Sequence, residues 1–284
     1  MVNQYKVWWQ YLLPKIALSA LFGKLAQTTR CAWLRHIVLK RYVAHYKVDM
    51  RLAQREQLRE YTCFNDFFTR QLKAVARPLC QGEKALAMPV DGTISEFGAI
   101  DGERLLQAKG HDYTLSDLLA QESGLVAAFA QGSFMTVYLA PKDYHRIHMP
   151  LDGELKQMIY VPGSLFSVNP QTANAVPNLF ARNERVICLF ETERGLMALI
   201  LVGAMIVGSI TTTWAGQINP PRLGKVKKWD YAAGEVTLAR GAEMGAFQLG
   251  STVIALFPED HLRFKADLAV NRTVRMGEQM ATLI

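Results

Sequence analysis

The sequence predicts an α+β protein, in which N-terminal amphipathic helices precede a mostly antiparallel, β-rich domain of barrel- or sandwich-like character. Three observations carry this. Basic charge is confined to the start of the chain. The apolar spacing there is helical. Beyond about Pro89 the texture changes to short β-branched runs cut by Gly, Pro and Asp.

Residues 1–48 hold eight Lys or Arg and no Asp or Glu, whereas the whole chain has a net charge of +7. The rest is therefore nearly neutral, and the basic segment alone points to a polyanion such as a membrane surface or nucleic acid. After Pro14, the small or polar positions Lys15, Ser19, Gly23 and Gln27 recur every four residues among large apolar ones. This predicts a short helix with a wide apolar face. Trp8, Trp9 and Tyr11 have the character of interface anchors. A second segment, 30–47, mixes Trp33, Leu34, Ile37 and Val38 with five cations. Two helices packed on the domain with solvated cations would also fit. Coincidence of cations, aromatic residues and absent acid favours an in-plane membrane anchor. The apolar runs are too short to span a bilayer, which takes about 20 residues.

Residues 49–86 read as a helical connector. Within it "TCFNDFFTRQL" sets four large apolar side chains around Asn65 and Asp66 and is expected to dock on the main domain, residues 87–284. Strands are expected at 134–140, 158–161, 186–191, 196–202, 205–213 and 251–257. Turns are expected at Asp91-Gly92, Asp101-Gly102, Asp152-Gly153 and Pro162-Gly163. Thr114 is placed to cap a helix over 114–121. Gly195 to Pro221 carries no charge and is long enough for a transmembrane helix. Its glycines and Thr211–Thr213 fit two core strands joined by a turn better.

The four cysteines, Cys31, Cys63, Cys80 and Cys188, form no C-x-x-C pair, which suggests reduced thiols in a cytosolic setting. No secretory signal is evident. Neither a G-x-x-x-x-G-K-[ST] loop nor a strand-linked G-x-G-x-x-G occurs, so nucleotide binding has no support.

Three short texts carry candidate chemistry: "MPVDGTISEFG" with Asp91, "APKDYHRIHMP" with Asp143, His145 and His148, and the Gly250–Ser251 step of "LGST". Each alone has an ordinary explanation. Asp is common in turns, an H-x-x-H pair without a third ligand is a weak metal signal, and a Gly-Ser step reads as a turn at the head of a strand. His145 and His148 are an odd number of residues apart and fall on opposite sides of an extended chain, so they serve different tasks. A Ser-His-Asp hydrolase acting on lipid esters uses the same residue types, although no G-x-S-x-G exists here. A non-catalytic membrane- or nucleic-acid-binding module would need none of them.

Taken in order, "MPVDGTISEFG", "KGHDYTL", "YLAPKDYHRIHMP", "VGAMIVGSI" and "LGST" closely resemble the bacterial phosphatidylserine decarboxylase proenzymes, over essentially the whole chain. The resemblance implies self-cleavage at Gly250–Ser251 into a β chain, 1–250, and an α chain, 251–284. Ser251 attacks the Gly250 carbonyl, and elimination and hydrolysis leave a pyruvoyl group where Ser251 stood. That group, with no metal and no pyridoxal phosphate, would form a Schiff base with phosphatidylserine and yield phosphatidylethanolamine and carbon dioxide. The resemblance further implies His148 as the base for self-cleavage, Asp91 as the residue that orients and supports it, and His145 in decarboxylation or reprotonation. Asp143 would hold the histidine loop, and His111 would line the head-group pocket. The implied partners are phosphatidylserine, an anionic membrane surface, the two chains of one precursor and a second copy in a homodimer, with no nucleic acid. The implied location is peripheral, on the cytoplasmic face of the bacterial inner membrane.

Overall fold

The computed structural model describes residues 7–108, 111–205, 209–219, 224–248 and 251–284. Its first elements are helices Trp9–Leu12, Lys15–Ala26 and Ala32–Tyr46. Leu13, ahead of Pro14, is extended (φ −72°, ψ 139°), as the proline ring demands of its predecessor, and this separates the first two helices.

The helix Lys15–Ala26 buries its small residues, Ser19 and Ala26, and turns Ile16, Leu21, Phe22 and Leu25 outward. The next helix docks by one edge. Leu39 is fully buried and packs with Tyr42 and Val43 against Tyr61 and Phe67, while Trp33, Leu34, Ile37 and Val38 are exposed. An apolar surface is thus left open on both helices, the reverse of ordinary packing against a core. The following stretch is a set of short helical turns, Met50–Leu52, Leu58–Glu60 and Ala74–Ala76, around one helix, Phe64–Phe68.

The main sheet runs Lys227–Asp230, Gly153–Val161, Arg185–Thr192, Gly195–Val202, Ser251–Phe257, Ser133–Leu139, Gly92–Ala99 and Thr273–Val274, every pairing antiparallel. It is open at both ends, so the expected barrel-like closure is absent among the described residues. Strand Ser251–Phe257 lies near its centre and is buried along its whole length. Val253, Ala255 and Phe257 join one apolar cluster and Ile254 and Leu256 the other, because both faces of the sheet are covered. A second sheet orders Gly216–Asn219, Ile210–Thr212, Glu243–Phe247 and Arg146–His148.

No helix among the described residues is long and apolar enough to cross a membrane. The uncharged stretch 195–221 contributes strands instead. These fall in two different sheets rather than one hairpin, and the described residues of the expected strand 205–213 form strand over Ile210–Thr212, with 206–208 outside the described residues. Thr114 caps Leu115–Leu118, its hydroxyl accepting from the Asp117 N–H at 3.0 Å.

The Asp91–Gly92 step is a bend entering strand Gly92–Ala99 and not a hairpin turn. Gly92 is required there by close approach. A Cβ on it would lie 2.4 Å from the Tyr138 carbonyl oxygen and 2.7 Å from Val137 Cγ1.

Candidate active site

Ser251 opens the central strand. Its neighbour in register is Leu139, and the next pair is Thr252 with Tyr138. Its side chain is fully buried, and its Oγ has no hydrogen-bond partner among the described residues. A buried hydroxyl left unpaired costs about 1–3 kcal/mol, so this position is not explained by packing. Gly250, the other half of the expected cleavage site, lies outside the described residues.

The histidine loop starts where Ser251's register partner ends. Ala140 follows Leu139, its carbonyl accepts from His145 Nε2 at 3.0 Å, and its N–H donates to Asp143 Oδ2 at 2.7 Å. Asp143 N–H in turn donates to the Ala140 carbonyl at 2.9 Å. These reciprocal bonds close a tight loop, the holding role expected of Asp143. Burial raises the Asp143 carboxyl to about 6.

His145 is fully buried and stacks on Phe68 with ring centroids 4.0 Å apart and 27° between planes. Burial, aided by the nearby Arg70 charge, pushes it down to about 3, so the ring is neutral at ordinary pH. Since Nε2 meets a carbonyl, it carries the proton. Nδ1 is then an acceptor, and it has no partner among the described residues.

His148 ends the strand that pairs with Glu243–Phe247, the segment running into the Ser251 strand. Its Nδ1 donates to the Gly241 carbonyl at 2.8 Å, which leaves Nε2 as the acceptor of the Tyr144 hydroxyl at 3.1 Å. Burial lowers its pKa below the usual imidazole range, again favouring the neutral base.

Asp91 is buried, but its partners are not the ones the sequence suggests. Both carboxylate oxygens are held by Arg77, Oδ1 from Nε at 2.8 Å and Oδ2 from Nη2, and Oδ1 also accepts from the Met276 N–H at 2.9 Å. No hydrogen bond joins Asp91 to His148 among the described residues. The carboxylate is close enough to act on the imidazole through its charge alone. His111 stands on the small sheet Arg104–Ala108 with His111–Thr114, and no hydrogen bond or ring contact ties it to Ser251, His145 or His148 among the described residues.

The "FNDFFTR" segment docks as expected and does so on the site. Phe68 stacks on His145. Asn65 Nδ2 donates to Gln248 Oε1 at 3.1 Å, three residues before Ser251, and the Thr69 carbonyl accepts from Arg146 Nε at 2.8 Å. Above it lies an apolar groove of about 650 Å³. Leu25 and Leu34 of the N-terminal helices line it together with Tyr42, Phe64, Phe68 and Pro141, with Arg30 and Arg35 also in its wall. The groove therefore connects the exposed helical surface to the ring that covers His145.

Arg77 and Tyr144 are site residues that sequence reasoning missed. Tyr144 lay in plain view, four residues before His148 in the same short text. Arg77 carried no signal, since it sits 14 residues before Asp91 in a stretch without a motif. Among the described residues no group of three or more His, Cys, Asp or Glu is placed to hold a metal ion.

A family model described as phosphatidylserine decarboxylase matches residues 64–282, and a second, described as PSD, matches residues 5–47. The chain is 54% identical over 280 residues to the phosphatidylserine decarboxylase proenzyme of Haemophilus influenzae, covering 98% of this chain and 96% of that protein. It is 52% identical over 284 residues to the proenzyme of the same name from a Polaromonas species, with 99% of each covered. Against that of Variovorax paradoxus it is 54% identical over 274 residues, with 96% of each covered.

Proposed function

The chain belongs to the phosphatidylserine decarboxylase family and is a carboxy-lyase, and on that premise we propose that it is a precursor that cuts itself at Gly250–Ser251 and then decarboxylates phosphatidylserine to phosphatidylethanolamine. The observation that carries the proposal is Ser251 itself: a fully buried hydroxyl without a partner among the described residues, at the head of a central strand, beside a loop bearing two neutral histidines.

In self-cleavage His148 takes the Ser251 proton through Nε2, its only unprotonated nitrogen, once the Tyr144 hydroxyl gives way. Oγ attacks the Gly250 carbonyl carbon, the amide becomes an ester, and elimination across Cα–Cβ of residue 251 expels the Gly250 carboxylate. Asp91 supports the positive charge that develops on His148 by its field, with Arg77 and the Met276 N–H fixing the carboxylate in place.

The fit of the group to be made from Ser251 rests on that position. Pairing of strand 251–257 on both edges, with Ser133–Leu139 and Gly195–Val202, holds the new N-terminus in the sheet after the cut. The pyruvoyl carbonyl supplies an electron sink for the pair left behind by departing carbon dioxide. His145, neutral and with Nδ1 unengaged among the described residues, is suited to move the proton that replaces carbon dioxide.

The open apolar faces of Lys15–Ala26 and Ala32–Tyr46, with the basic charge of residues 1–48, support attachment in the plane of an anionic bilayer. The groove offers the acyl chains a path to the site without leaving an apolar surface. A hydrolase acting on lipid esters is less well supported, since its serine must meet substrate and Ser251 is wholly buried in the uncut chain.

The division of labour is tested by His148→Ala and His145→Ala. The first is expected to remain uncut. The second is expected to be cut but to release no carbon dioxide. Normal cutting in His148→Ala would refute the assignment of the base.

A further inference from the structure

Arg70 is buried, at 4% exposure, and forms no ion pair with a carboxylate among the described residues. Its Nη2 donates to the Lys142 carbonyl at 3.0 Å and to the Asp143 carbonyl at 3.3 Å. Nε and Nη1 have no hydrogen-bond partner among the described residues. A guanidinium offers five N–H donors and stays charged in proteins, so leaving donors idle in the interior is costly.

The carboxylates nearby are committed elsewhere. Asp91 is held by Arg77 and the Met276 N–H, and Asp143 accepts from the Ala140 N–H. Both act on Arg70 through space, and neither hydrogen-bonds to it. The other charged or titratable groups around it are Tyr42 of helix Ala32–Tyr46, Tyr61 after the Leu58–Glu60 turn, and His145 of the histidine loop. Tyr42 lines the apolar groove and donates its hydroxyl to the Pro141 carbonyl at 2.8 Å. Arg70 thus lies near both Tyr42, which lines the groove, and His145, on which the groove residue Phe68 stacks.

We infer that Arg70 is the residue that receives the phosphodiester of the lipid substrate, through the donors left free on Nε and Nη1. The inference rests on the decarboxylase reading and adds a binding role to a residue outside the catalytic texts. A substrate carboxylate is the other anion on offer, and the chemistry argues against it. That carboxylate loses its charge as it departs as carbon dioxide, so an ion pair to it would favour the ground state over the transition state. The phosphodiester keeps its charge throughout, and holding it costs nothing in the chemical step.

The test uses full-length Arg70→Gln and Arg70→Lys in mixed detergent micelles of phosphatidylserine, with phosphatidylethanolamine as competing inhibitor. That inhibitor has the phosphodiester and lacks the carboxylate. The Gln variant is expected to cut itself normally, to raise KM by about tenfold or more with kcat little changed, and to weaken inhibition by phosphatidylethanolamine by a similar factor. The Lys variant, keeping the charge, is expected to recover part of both losses. A raised KM with unchanged inhibition would mean that Arg70 holds the carboxylate and would overturn the inference. So would an unchanged KM, a fall in kcat alone, or loss of self-cleavage in both variants, which marks a structural residue. A wild-type chain that releases no carbon dioxide from phosphatidylserine would instead sink the substrate reading itself.

Discussion

The Tyr144 hydroxyl lies 3.1 Å from His148 Nε2 and donates to it, occupying the one nitrogen of that ring able to act as a base. A donor on the lone pair lowers its basicity and competes with Ser251 for it. Tyr144→Phe removes the donor and keeps most of the packing. The expected result is faster self-cleavage, by about threefold to tenfold, the worth of one net hydrogen bond. Following the loss of full-length precursor on a denaturing gel after a pulse of synthesis measures it. Slower cleavage would show that the phenol positions the ring rather than masking it.

Arg77 and Asp91 form a pair almost shut off from water, with side chains 9% and 8% exposed. Removing one partner strands the other. Arg77→Ala is therefore expected to destabilise the fold by about 3–5 kcal/mol in urea titration. The double variant Arg77→Gln, Asp91→Asn restores a neutral hydrogen-bonded pair and is expected to regain most of that loss. It does not regain self-cleavage, because His148 then loses the field of the Asp91 carboxylate. A double variant that cuts itself at the wild-type rate would remove Asp91 from the mechanism.

Acid weakens the fold through His145. Its folded pKa of about 3 lies below the unfolded value of about 6.5. The unfolded chain therefore binds the proton first, and stability is complete above pH 6.5 and falls as the pH drops toward 3. Asp143 works the other way, because its carboxyl is raised to about 6 and its burial cost is relieved on protonation. Comparison with His145→Gln isolates the histidine. Between pH 7 and pH 5 the wild type is expected to lose about 2 kcal/mol relative to that variant. Parallel stability curves would mean that the ring is protonated or wet in the folded state.

The apolar faces of the N-terminal helices offer a direct membrane test. Trp33 is 68% and Ile37 40% exposed, so Trp33→Ser with Ile37→Ser disturbs little of the folded core. Each large side chain withdrawn from lipid forfeits about 1.5–3 kcal/mol. Sedimentation with vesicles containing anionic lipid is expected to show at least about tenfold weaker binding, and binding of the wild type is expected to fall as salt rises. Unchanged binding would place the attachment elsewhere.

Sequence and structure agree where the signal is local. The apolar faces of the first helices follow from spacing, their outward setting from the accompanying cations and aromatic residues, and strand 251–257 from its β-branched, uncharged run. "DYHRIHMP" marked the loop that carries both histidines. What escaped notice depends on distant pairings. Arg77 and the Met276 N–H reach Asp91 from remote parts of the chain, and Arg70 stands out only once Lys142 and Asp143 are folded against it. Asp91-Gly92 resembled a turn because Asp-Gly steps usually are turns. Here the glycine serves the close passage of strand Ser133–Leu139, which composition does not reveal.

The central claim is the cut at Ser251. Intact-mass spectrometry of the purified chain under denaturing conditions tests it most directly. The account predicts a 34-residue C-terminal fragment, residues 251–284, with an N-terminus blocked as pyruvoyl, and a Ser251→Ala variant that stays whole. A wild-type chain that remains intact at full length while releasing carbon dioxide from phosphatidylserine would contradict it.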